Sequence, residues 1–156
     1  MKKYFLCVAF VLLFFLAQTA VAAPPRGYLS AAEIKRLLDL FPDAVRFEDV
    51  RSQFGDPTSG TMWDFEEYAT TIQFNRVGST LTEMGIAVHF SSFSELDRHA
   101  TSYIQQLNAL MRRQATRYET SISIWEGSGG YLYGMGRRSV SGIPTLIFIR
   151  RHRDTF

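Results

Sequence analysis

The chain has 156 residues, a length that suits one domain with its own hydrophobic core. Its only cysteine, Cys7, lies in an apolar N-terminal stretch, so the rest of the chain can form neither an internal disulfide nor a thiol-based catalytic centre. Lys2 and Lys3 account for the net charge of +2, and the remaining chain is electrically neutral, which disfavours binding to nucleic acid.

The N-terminal residues have the organisation of a secretory signal. The two lysines precede the apolar run YFLCVAFVLLFFLA, and Ala20-Val21-Ala22 is a suitable cleavage site. Residues 1–22 are therefore predicted to be a signal peptide, and residues 23–156 a single exported domain in the periplasm or outside the cell. An uncleaved anchor is the alternative, and it is the only contact with a membrane that the sequence suggests.

Charge is divided unevenly along the predicted exported domain. Residues 23–97 carry 6 basic and 12 acidic groups, whereas residues 98–156 carry 9 basic and 3 acidic groups. This division favours pairing within the molecule, or a polar surface for another protein.

Residues 28–80 form the first predicted segment, with two helices and a strand. Ser30 and Glu33 are spaced as a capping box, and Pro42 ends the helix that begins there. The run FEDVRSQF predicts a second, shorter helix that Gly55 closes. Tyr68, Thr70, Ile72 and Phe74 then alternate with smaller or polar residues and predict a half-buried strand.

Residues 85–153 form the second predicted segment. A strand at 85–90 leads into a helix over 95–115, with Ser94 as its cap and an apolar stripe of Leu96, Ala100, Tyr103, Leu107 and Leu110. A strand follows at 120–125, and a segment with too many glycines for a helix comes next. The apolar run TLIFI after Pro144 predicts a central strand.

The order strand, helix, strand, strand favours an α/β fold in which a helical crossover makes neighbouring strands parallel. If residues 120–135 are instead a hairpin, the fold is α+β, with an antiparallel sheet and one long helix packed on it. The direction of the strand at residue 145 distinguishes the two arrangements.

The second segment resembles the central part of a thioredoxin fold. Gly142, Ile143, Pro144 and Thr145 match the loop before that family's last parallel strand, where the proline is cis. The helix start that bears the redox cysteines in that family reads FSELDR here. The resemblance therefore implies an incomplete, redox-inactive thioredoxin-like fold.

The stretch HFSSFS, residues 89–94, is similar to an F-x-S-F-S stretch of the TrbC family of conjugative pilus-assembly proteins. That family is exported, cysteine-poor and thioredoxin-like. The chain departs from the pattern because residues 127–140 are glycine-rich where a helix is expected, and because it ends 12 residues after Pro144. A role in conjugation, pilus assembly or secretion is implied by this resemblance alone.

A proline loop without thiols leaves a surface on which an extended segment of another periplasmic protein can dock. The predicted partner-binding residues are Phe93, Ser94, Trp125, Gly142, Ile143, Pro144 and Thr145. The predicted function is that of an exported, redox-inactive binding or assembly factor. A small periplasmic inhibitor or immunity protein is the alternative, suggested by the acidic first half of the domain.

No catalytic motif, cofactor or metal site is predicted. The histidine spacing does not suit zinc, and His89 is expected to be a half-buried, hydrogen-bonded imidazole rather than a ligand. Scattered serines and carboxylates are the only support for a hydrolase.

Overall fold

The computed structural model describes residues 27–41, 45–118 and 122–155. At residues 117, 118 and 155 it describes the backbone alone. The predicted signal peptide and its cleavage site near Ala22 lie outside this range. In the described residues, no helix is long and apolar enough to cross a membrane.

The first helix, α1, spans Ala31–Leu40 and begins as the sequence predicts. The Ser30 backbone N–H donates to Glu33 Oε2 over 2.7 Å, and the Glu33 N–H donates to Ser30 Oγ over 3.3 Å. This capping box satisfies two backbone donors that the first turn leaves without partners. The helix buries Ile34, Leu37 and Leu38 on one side.

The second helix, α2, spans Phe47–Phe54 and follows the two-residue strand β1, Val45–Arg46. Gly55 ends it with a φ of 80°, a conformation that favours glycine, as predicted.

The long helix α3 spans Phe93–Met111 and differs from the prediction at its start. Ser92, rather than Ser94, is the cap and accepts a hydrogen bond from the Glu95 backbone N–H. Glu95 in turn accepts from the Ser91 hydroxyl and backbone N–H. Leu110, placed in the buried stripe by the sequence, is 44% exposed, so the buried side of α3 ends at Leu107.

Apart from the short 3-10 helices Glu66–Tyr68, Ser128–Gly130 and Arg153–Thr155, the remaining described elements are strands of one antiparallel sheet. They are β2 Met62–Phe65, β3 Thr70–Val77, β4 Thr80–His89, β5 Thr116–Tyr118, β6 Ile122–Glu126, β7 Tyr131–Val140 and β8 Ile143–His152. Their spatial order is β2-β3-β4-β8-β7-β6-β5, and β1 pairs with the start of β4. The strand at Pro144 is therefore central, as its apolar run predicts.

The α+β arrangement is confirmed, and the parallel arrangement of the α/β prediction is wrong. β4 and β8 are neighbours, but they run antiparallel from Gly85↔Ile149 to His89↔Thr145. The reason lies in the glycine-rich segment, which forms strand β7 rather than a crossover. Since only two residues join β7 to β8, β8 must run back along β7.

The core lies between the three helices and one face of the sheet. It combines residues from both predicted segments, among them Ile34, Val50, Ile86, Tyr103 and Phe148. No helix among the described residues packs on the opposite face of the central strands, which is called the open face below.

Arg150 on β8 fixes the end of α1 to the sheet. Its Nη1 donates to the carbonyl oxygens of Leu38 and Phe41, over 3.2 and 3.3 Å. Its guanidinium carbon lies 3.7 Å from the centre of the Tyr131 ring. A positive group is favourable here because the last carbonyls of a helix carry its negative pole.

Asn108 connects the end of α3 to β6. Its Oδ1 accepts hydrogen bonds from Trp125 Nε1 over 2.8 Å and from the Ala115 N–H over 3.0 Å. Trp125 is only 1% exposed, so its N–H has no access to water if that acceptor is lost.

We expect Asn108→Ala to lower the free energy of unfolding by about 2 kcal/mol, because two donors lose their shared acceptor. Gln105→Ala, an exposed change on the same helix, should cost less than about 0.5 kcal/mol. Urea unfolding followed by tryptophan fluorescence measures both. If both variants lower the free energy of unfolding by the same amount, Asn108 does not have this role.

Candidate functional site

Three chain segments meet at one end of the sheet. β4 ends at His89, α3 begins at Phe93, and β7 turns into β8 between Val140 and Ile143. The Phe90 N–H donates to the Pro144 carbonyl oxygen over 2.8 Å, which holds the start of β8 beside the segment that leads into α3. This end of the sheet is called the turn end below.

The β7–β8 turn is formed by Ser141 and Gly142, with φ angles of 51° and 82°. Positive φ at both central residues is typical of the two-residue hairpin turn whose twist matches that of the strands. Gly142 therefore has a conformational role. The turn places Val140 directly opposite Ile143.

Large apolar side chains are exposed at the turn end. Phe93 is 58% exposed, Ile143 46% and Val140 41%. Val77 is more exposed, at 69%, but it is the last residue of β3 and pairs with Thr80 at the opposite end of β4. A cluster of exposed apolar groups is a feature of surfaces that contact another protein.

The seven predicted partner-binding residues divide into two groups. Phe93, Ser94, Gly142 and Ile143 are exposed at the turn end. Pro144 and Thr145 are at the same end, but they are buried, so they support the surface rather than form it. No cis peptide bond occurs in the described residues, and the Ile143–Pro144 bond is accordingly trans.

Trp125 is not part of this end. It pairs with Tyr133 across β6 and β7, far along β7 from Val140, and its side chain is buried under α3. The alternation in β6 correctly separates Trp125 from Ile124, but it does not tell which side faces the helices.

Val140 is a residue of this surface that the sequence analysis missed. The dipeptide Ser141-Gly142 between two apolar residues is itself a turn signal, and it would have placed Val140 opposite Ile143.

A chain of hydrogen bonds crosses the open face next to the turn end. The Thr71 hydroxyl donates to Asp64 Oδ1 over 2.7 Å and lies 3.0 Å from His89 Nε2. Because that hydroxyl has given its hydrogen to Asp64, Nε2 must be the donor to Thr71. His89 Nδ1 lies 3.1 Å from Thr145 Oγ1. His89 is thus the half-buried, hydrogen-bonded imidazole that the sequence predicts.

This chain satisfies His89 in both protonation states. Thr145 Oγ1 also lies 3.0 Å from the Ile143 carbonyl oxygen. When His89 is neutral, the Thr145 hydroxyl can donate to Nδ1; when it is protonated, Nδ1 donates to Thr145, which donates to Ile143. Thr145 is fully buried, so its hydroxyl cannot reach a substrate and the arrangement does not support a hydrolase.

Among the residues that the structure describes, no group of three or more acidic, histidine or cysteine side chains is arranged to hold a metal ion. No family model, no curated protein and no solved structure matches this chain.

We expect acidification to destabilise the wild type through His89. Burial lowers the pKa of His89, with the Asp64 charge opposing it, so the unfolded chain binds a proton more readily than the folded one. The stability that His89 contributes is complete above the unfolded pKa of about 6.5 and is lost as pH falls toward the folded pKa.

The test is the melting temperature of the wild type and of His89→Gln between pH 8 and pH 5. The difference between the two should shrink with acidification, because glutamine does not titrate. A constant difference across this range would contradict the lowered pKa.

Proposed function

We propose that this protein is an exported, redox-inactive binding or assembly factor that contacts another periplasmic protein through the turn end of its sheet. The observation that carries the proposal is the exposure of three large apolar residues, Phe93, Val140 and Ile143, on the segments that meet at this end of the sheet. Val140 and Ile143 pair directly across the β7–β8 hairpin. Burial of such groups against a partner is the main source of binding free energy in protein interfaces.

The backbone near the turn offers a second means of contact. Among the described residues, β6 pairs with β7 from Leu132 to Gly136. In the described part of the chain, no strand pairs with the outer edge of β7 over residues 137–140. An unpaired strand edge can take an extended segment of a partner through main-chain hydrogen bonds, while nearby apolar groups select its side chains.

Export is supported by the signal-like residues 1–22. A role in a conjugation or secretion apparatus is the narrower form of the proposal, and its support is the resemblance of HFSSFS to the TrbC family. The antiparallel β4 and β8 lend no support to the thioredoxin-like arrangement, so docking is attributed to the exposed apolar residues of the turn end rather than to a cis-proline loop.

We expect Ile143→Asp to weaken partner binding by more than about 2 kcal/mol, or roughly 30-fold, because a charge would be placed next to Val140 in the exposed apolar surface. The matched control is Val77→Asp, which makes the same kind of change at a more exposed apolar position, beside the opposite end of β4. Affinity pull-down from a periplasmic extract, with quantitative mass spectrometry, compares both with the wild type.

Proteins that the wild type and Val77→Asp recover, and that Ile143→Asp loses, are the expected partners. Thermal melting of each variant ensures that both are folded. If Ile143→Asp recovers the same proteins in the same amounts, the turn end is not the binding surface. If the recovered partner is a secreted toxin whose activity this protein blocks, the protein is an inhibitor rather than an assembly factor.

A further inference from the structure

The open face of the sheet has an apolar centre, which is unusual for a sheet face without a covering layer. Two glycines of β7 lie in a shallow furrow between two ridges of isoleucine, one on β6 and one on β8. The furrow is formed by Gly134 and Gly136, and the ridges by Ile122, Ile124, Ile147 and Ile149.

The strand register builds this furrow row by row. Gly136 pairs with Ile122 on one side and with Ile147 on the other. Gly134 pairs in the same way with Ile124 and Ile149. The ridges are two strand spacings apart, about 9.6 Å, and the depression that includes the furrow has a volume of about 470 Å³.

Side-chain packing explains why residue 134 is glycine, but it does not explain why residue 136 is glycine. A Cβ atom on Gly134 would lie 3.0 Å from Ile149 Cγ1, so a larger residue would crowd the neighbouring ridge. A Cβ atom on Gly136 would meet no atom within 4 Å, and its φ is not positive. Because glycine weakens a strand interior, Gly136 is best explained by a ligand that approaches the backbone closely.

One end of the furrow carries an unpaired positive charge. Arg138 follows Gly136 on the same face of β7 and lines the depression. Among the described residues no hydrogen bond or ion pair engages it, whereas its neighbour Arg137 binds Asp97 of α3 on the other side of the sheet over 2.8 Å. Beyond the far end, Arg151 is already paired with Glu83 over 3.0 Å.

We infer that the furrow binds a single-chain aliphatic carboxylate, with its hydrocarbon chain over Gly136 and against the Ile149 side chain that leans over Gly134, and its carboxylate on Arg138. The spacing of the isoleucine ridges leaves room for one chain, which excludes a two-chain phospholipid. A guanidinium group binds a carboxylate with two parallel hydrogen bonds, and the site supplies one such group. This inference shares Arg138 with the β7 edge described above, but it does not depend on a partner protein.

The test uses the full exported chain and decanoate, below the concentration at which decanoate forms micelles. Binding is measured by isothermal titration calorimetry, and the site is located by NMR shift changes. We expect one decanoate per chain, at least tenfold weaker binding to Arg138→Gln, and unchanged binding to the control Arg98→Gln, an exposed arginine of α3. Decylammonium, which has the same chain and the opposite charge, should not bind.

Gly136→Val separates a ligand site from a structural role. Valine fits the open space and favours a strand, so the melting temperature should rise while decanoate binding is lost. Equal binding to all variants, or binding of decylammonium, would overturn the inference. Binding to phospholipid vesicles but not to free decanoate would also overturn it. So would a wild-type dimer that Gly136→Val dissociates, because a second copy of the chain would then occupy this face.

Discussion

The whole sheet depends on the pairing of β4 with β8. Five residue pairs, from Gly85↔Ile149 to His89↔Thr145, join the strands that precede α3 to those that follow it. Without this ladder, β2-β3-β4 and β8-β7-β6-β5 would be separate groups of strands, each with an open edge. The helices also depend on it, because α1 and α3 both pack on β8. The carbonyl at the end of α1 is held by Arg150 of the same strand.

The same strand gives the two faces of the sheet their different chemistry. Leu146 and Phe148 point to the helices and are buried, whereas Ile147 and Ile149 point to the open face. A continuous apolar run is what a strand needs when both of its faces avoid water. On the helix side the covering layer is present. On the open face, the glycines of β7 leave a depression beside these isoleucines, and Arg138 places a positive charge at one end of it.

The features that could be predicted from sequence are local. The capping box at Ser30 and Glu33 and the glycine stop at Gly55 involve residues a few positions apart, and each forms as expected. The same rule would have found the true start of α3, since Ser92 and Glu95 have capping-box spacing. The burial of Trp125 could not be read in the same way, because alternation defines two faces of a strand without saying which one meets a helix.

Strand direction could not be predicted from the sequence because it is set by segments that are far apart in the chain. His89 and Thr145 are 56 positions apart, yet they share a hydrogen bond and a rung of the ladder. Such distant pairing carries a large loop-closure entropy, and folds that rely on it assemble slowly. The gap between β4 and β7 closes only when residues 143–152 have left the ribosome. Until then the edges of β4 and β7 are open, and unpaired edges are where a partly folded chain can pair with a foreign strand.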